Sequence, residues 1–188
     1  KGHLSAVSEE GDAMIAFRNS EDSEYYSCLW NQEKHELWLK RVKNKDALND
    51  WVMSHGRSVP PFYPTWEIYF NPQSDLVVDI ENKRINTFIL PPLLRENTPG
   101  DWSNIKLLID HAFGYHKECV EHFLNHLAVV FQLREKPGTA WVLHGTEGTG
   151  KGMLVNVVLK GILGHYVGMC MADQLDDQYN EWIERALI

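Results

Sequence analysis

The chain has 188 residues, of which 44% are hydrophobic, 23% charged and 11% aromatic, enough core-forming sequence for one domain or two small ones and too much for a disordered chain. A formal net charge of -8, divided evenly between the two halves, excludes a uniformly basic nucleic-acid-binding surface and leaves only local patches for such a contact. Cys28, Cys119 and Cys170 lie far apart and form no C-x-x-C pair, which fits a reducing cytoplasm, and no apolar run approaches the length of a membrane span.

The start, Lys1-Gly2-His3, is not a signal peptide and lacks Met, so the sequence reads as a piece of a longer protein. Ala13 to Phe17 is compatible with a short strand or a helical turn, and Tyr25 to Trp30 with a strand. Asn44 to Met53 places Leu48, Trp51 and Val52 at helical spacing, and Gly56 with Pro60-Pro61 ends that helix. Trp66 to Phe70, Leu76 to Ile80 and Ile85 to Leu90 predict three strands. Turn signals at Asn71-Pro72 and Glu81 to Arg84 separate them, suggesting antiparallel structure.

Asn97 to Gly100 reads as a linker. Ile105, Leu108, Ile109 and Phe113 make one helical stripe; Val120, Leu124, Leu127 and Phe131 make another, with Gly114 dividing the two. Thr139 to His144 is a short apolar run that suits a buried parallel strand. Lys151 to Leu163 is an apolar helix stopped by Gly164. Ala186-Leu187-Ile188 has the look of another buried strand beginning.

Between the apolar run and the helix stands Gly145-Thr146-Glu147-Gly148-Thr149-Gly150-Lys151-Gly152, which satisfies the phosphate-loop pattern G-x-x-x-x-G-K. A loop wrapping a polyphosphate must turn several backbone N–H groups inward, in conformations that glycine adopts cheaply, and must leave room for the anion. Gly148 and Gly150 suit that task, and Gly145 opens the loop. Lys151 adds a point charge for the β and γ phosphates, and the following helix directs its positive end at them. ATP is therefore the expected ligand, with Thr146, Glu147 and Thr149 completing the loop and Lys151 the residue expected to act in catalysis. The Ser or Thr hydroxyl that ordinarily ligates Mg²⁺ is replaced by Gly152. The metal is then held through water or by another residue.

Other constellations favour plainer readings. His111, His116, Cys119, His122 and His126 crowd one helical region, but without H-E-x-x-H or C-x-x-C they read as partly exposed helix residues and not as a zinc site. Lys40, Arg41, Lys43 and Lys45 beside Trp38 offer charge and stacking for single-stranded DNA, and read more plainly as a solvated turn. Asp173, Asp176 and Asp177 read as a polar loop. No metal ligand is assigned.

Over about residues 60–188 the sequence resembles the helicase part of phage and plasmid primase-helicases, the superfamily 3 group with poxvirus-type enzymes. The resemblance rests on Phe70-Asn71-Pro72, Arg84-Ile85-Asn86-Thr87-Phe88, Leu127 to Gln132, Pro137 to His144 leading into the glycine-rich loop, Gly164-His165-Tyr166 and Gln178-Tyr179-Asn180. It implies an ATP-dependent replicative DNA helicase that forms homo-oligomeric rings, usually hexamers, around single-stranded DNA in the host cytoplasm. It also implies that the acidic Walker B strand begins near residue 188. The resulting expectation is an α+β module with antiparallel strands over 1–97, a helical connector over 101–136, and over 137–188 the first part of a P-loop, AAA+-like α/β domain with a parallel sheet. Residues 1–60 fit a linking or auxiliary role. Another P-loop NTPase (a packaging motor or loader) and a non-catalytic module for oligomerisation or DNA docking are the alternatives.

Overall fold

The computed structural model describes residues 6–7, 12–96, 99–139, 141–168 and 186–187. The chain divides between Ile89 and Leu90 into two compact units, one built on a sheet and the other, among its described residues, on helices.

The first unit is a mixed sheet of β1 (Ala6–Val7), β2 (Ala13–Asn19), β3 (Tyr25–Asn31), β4 (Glu36–Val42), β5 (Thr65–Tyr69), β6 (Val78–Asp79) and β7 (Arg84–Asn86). The order is β4-β3-β2-β5-β7-β6, with β1 also paired to β2. Strands β2, β3 and β4 form an antiparallel meander in which Ile15 faces Cys28 and Cys28 faces Leu39. The apolar run Ala13 to Phe17 suits a central strand buried on both faces. Ile15 and Phe17 enter a core with Cys28, Trp30, Trp66 and Ile85, while Ala16, on the opposite face, meets Leu48 and Val52.

Those two residues come from α1 (Lys45–Ser54), whose first turn is capped by Asn44: its side-chain oxygen accepts from Ala47 N–H at 2.9 Å. Such a cap is worth about 1 kcal/mol.

Two expectations change here. Lys40 and Arg41 lie on edge strand β4 and not in a turn, and Arg41 pairs with Glu24 at 2.7 Å. Alternating Trp38 and Lys40 with inward Leu37 and Leu39 is a strand pattern that the dense charge obscured. The strands of residues 65–86 are also not all antiparallel: β5 runs parallel to both β2 and β7, and only β6 with β7 is antiparallel. The segment after Asn71 does not fold straight back as a hairpin. It passes outward and lets β7 insert between β5 and β6.

The second unit contains α2 (Pro92–Arg95), α3 (Ser103–Ala112) and α4 (Lys117–Ala128), the last continuing through a wide π turn at Val129–Leu133. Gly114, at φ 59°, divides α3 from α4 as its position suggested. Ile109, Val120, Phe123 and Leu127 are buried. The helix after the glycine-rich loop starts as α5 (Lys151–Met153), widens over Leu154–Leu159 and finishes as α6 (Lys160–Leu163); Gly164, at φ 62°, ends it. The residues expected as helical connector and those from 137 onward lie in this same unit.

Among its described residues this unit forms no strand. The run expected as a buried strand instead leaves Val142 87% exposed. A parallel strand is stabilised by a neighbour's backbone, and no described segment of the unit supplies that ladder. Ala186 and Leu187 are buried, and Leu187 N–H donates to Tyr166 O at 2.8 Å; Ile188 lies outside the described residues. No helix among the described residues is long and apolar enough to cross a membrane.

Candidate functional site

The glycine-rich loop links the segment after Trp141 to α5. Gly148 and Gly150 have φ of 81° and 85°, on the left-handed side that costs an L-residue about 1–2 kcal/mol, and Gly145 has φ 155°, which L side chains rarely adopt. The three glycines therefore stand where the backbone requires them. They turn the chain around Lys151, whose ammonium donates to Gly145 O at 3.1 Å, Thr146 O at 2.8 Å and Thr149 Oγ1 at 2.8 Å. Thr149 Oγ1 in turn donates to Thr146 O at 3.1 Å. Residues Gly145 and Glu147 to Met153 line a depression of about 470 Å³.

The sequence-predicted residues thus converge. Lys151 sits inside the curve of the loop, and Thr149 bridges it to Thr146. Glu147 is exposed. Gly152 is the second residue of the helix, and a Cβ there would meet only Asn156 Nδ2 at 3.8 Å. No side-chain oxygen occupies the usual metal-ligating position.

Two neighbours of the loop have no motif to announce them. Helix α3 lies against it: His111 Nδ1 is 3.2 Å from Thr149 O, and a Cβ on Gly150 would fall 2.5 Å from Leu108 Cδ1. Leu108 and His111 are three apart and share a helix face. Leu108 was legible as part of an apolar stripe and His111 only as a partly exposed helix residue; neither pointed to the loop.

The segment entering the loop is held by Trp141. Its ring stands edge-on to Phe113 and Phe123, at 5.5 and 5.3 Å, and beside His122 and His126. Burial, aided by the charge of His122, lowers the pKa of His126 below the usual histidine value. Its Nδ1 lies 3.3 Å from Thr139 Oγ1.

These histidines pack around an aromatic ring. No group of three or more His, Cys, Asp or Glu able to hold a metal ion occurs among the described residues. Asp173, Asp176, Asp177 and Gln178 to Asn180 lie outside them. An apolar cavity of about 340 Å³ opens beneath Trp141 and Leu143, bounded by Phe123, Leu154 and Leu187. It is separate chemistry from the polar loop.

In the first unit, the two short stretches Phe70-Asn71-Pro72 and Arg84 to Phe88 meet in space. Buried Asn86 bonds the backbone of Asn71, and the rings of Phe70 and Phe88 stand edge to face at 5.8 Å.

This fold is similar to that of the NrS-1 C-terminal region. Apo structures of the NrS-1 C-terminal region match with a TM-score of 0.71 in each of two cases, at 24% and 21% identity. Each match covers 92% of this chain and 42% of that one. In sequence, the chain is homologous to the DNA primase-polymerase of Nitratiruptor phage NrS-1, with 34% identity over 107 residues. That match takes in 56% of this chain and 15% of the relative, so the chain spans only a small part of the protein it resembles. No protein-family model matches.

Proposed function

We propose that the loop Gly145 to Gly152 binds the polyphosphate of ATP, and that the chain is the nucleotide-binding part of a replicative DNA helicase of a phage or mobile element. The parent protein would act as a homo-oligomeric ring, hexameric in the simplest case, that couples ATP hydrolysis to movement on single-stranded DNA.

One observation carries the reading: Lys151 projects into a loop whose three glycines hold left-handed or otherwise glycine-favouring conformations. The acceptors that now surround its ammonium are loop oxygens. Phosphate oxygens are stronger acceptors for a cation and compete for the same donor. Kinship with a DNA primase-polymerase supports the replication setting.

The residues present fit a triphosphate. For Mg²⁺ they fit less directly, because Gly152 offers no hydroxyl. The metal would neutralise phosphate charge while reaching this part of the chain through water, with the Asn156 amide 3.8 Å from where a Cβ on Gly152 would stand.

The test is ATP titration of the chain and of Lys151→Ala. Strong weakening in the variant is expected, and equal affinity overturns the nucleotide site. In a protein extended to the span of its relative, ATP-dependent strand separation abolished by Lys151→Ala is expected. ATP binding without strand separation overturns the helicase reading alone.

A further inference from the structure

We infer that His111 is a positioning residue for the phosphate loop, an inference that rests on the nucleotide reading of that loop. Two independent contacts bring α3 against the same peptide. His111 Nδ1 lies 3.2 Å from Thr149 O, and Gly150 approaches Leu108 so closely that a Cβ would stand 2.5 Å from its Cδ1. The partner atom is a carbonyl, which only accepts, so the imidazole donates its Nδ1–H. The Tyr115 ring stands edge-on to the imidazole of His111, with the ring centroids 6.2 Å apart.

The consequence follows from peptide geometry. In a planar trans peptide the C=O and the next N–H point in opposite directions. Holding the Thr149 carbonyl toward α3 therefore fixes the Gly150 N–H away from α3. A phosphate loop works by aiming such N–H groups before the anion arrives. Gly150, at φ 85°, is where the peptide rotates most freely without an outside anchor. His111 supplies the anchor from another helix, 38 residues earlier in the chain. Among the histidines of this helical region it is the one with a hydrogen bond to the loop.

The test uses the 188-residue chain with ATP and inorganic tripolyphosphate as probes. His111→Ala should weaken both by about five- to tenfold, the scale of one hydrogen bond. The losses should be equal, because the loop touches only phosphates. His111→Asn, whose side-chain N–H₂ reaches the same distance along the chain as Nδ1, should restore binding to within about twofold. The Gly150 amide resonance should move in the alanine variant and return in the asparagine one. Wild-type affinity in His111→Ala, alongside lost affinity in Lys151→Ala, overturns this inference and leaves the nucleotide site standing. An asparagine variant as weak as alanine also overturns it. Wild-type affinity in Lys151→Ala overturns the nucleotide site and this inference together.

Discussion

The side-chain amide of Asn86 pairs with the backbone of Asn71 in both directions: Oδ1 accepts from Asn71 N–H at 2.9 Å and Nδ2 donates to Asn71 O at 2.8 Å. Nδ2 also donates to Ser74 O at 3.1 Å, and Oδ1 accepts from Phe88 N–H at 3.1 Å. Asn86 is fully buried. One side chain thereby holds the loop that lets β7 insert between β5 and β6. Asn86→Ala should cost on the order of 3 kcal/mol, since it leaves several buried groups unpaired. Asn86→Asp should cost at least as much at neutral pH, because a carboxylate cannot donate to the two carbonyls. Urea unfolding monitored by Trp fluorescence measures both. A loss under about 0.5 kcal/mol in the alanine variant would show that the loop holds without it.

Gly148 and Gly150 have nearly the same φ but different surroundings. A Cβ on Gly148 meets nothing within 4 Å, whereas one on Gly150 meets Leu108. Gly148→Ala should therefore carry only the backbone cost of about 1–2 kcal/mol. Gly150→Ala should add a further cost of about 0.5–1.5 kcal/mol, because the terminal methyl of half-buried Leu108 must leave its preferred rotamer. In a Leu108→Ala background the difference between the two should vanish. A double-mutant cycle on unfolding free energies reads this directly, and additivity would deny the contact between α3 and the loop.

Gly152→Ser should fold and bind ATP. The site has room for a Cβ, and serine replaces glycine in a helix with a gain of about 0.5 kcal/mol. The new hydroxyl stands where a metal ligand is ordinarily found, so ATP affinity should become more dependent on Mg²⁺. Titration with and without the metal checks it. A folded variant that no longer binds ATP would mean that the anion needs the bare backbone at this position.

Burial pushes the Cys28 thiol up to about 12 from an ordinary 9.0. Between those values the unfolded chain releases this proton while the folded chain keeps it. The unfolded state then binds fewer protons, so stability falls as pH rises, by about 1.4 kcal/mol per unit from this group. Cys28→Ala should be less stable at neutral pH through the lost packing, yet lose less stability between pH 9 and 10.5. Parallel slopes for the two proteins would refute the assignment. Exposed Cys119 should react with a thiol reagent in the folded protein while Cys28 stays protected.

The sequence by itself determined the local features. Gly145, Gly148 and Gly150 announced a tight loop because few residues other than glycine tolerate those dihedrals. Asn44 and the spacing of Leu48 and Val52 marked α1, and Gly114 and Gly164 marked helix boundaries, since each acts through its own backbone. The run Ala13 to Phe17 left strand and helical turn open. Only its pairing with β3 decided, because strand identity depends on a partner's hydrogen bonds.

The same non-locality hid the parallel pairing of β5 with β7 behind two ordinary turn signals. It also left Thr139 to His144, apolar enough for a strand, without one among the described residues. Tertiary structure alone brought Asn71 to Asn86, Trp141 into its aromatic cage, and Leu108 with His111 against the loop. Such contacts join residues far apart in the chain, and a helix stripe specifies which face is buried but not what it will meet.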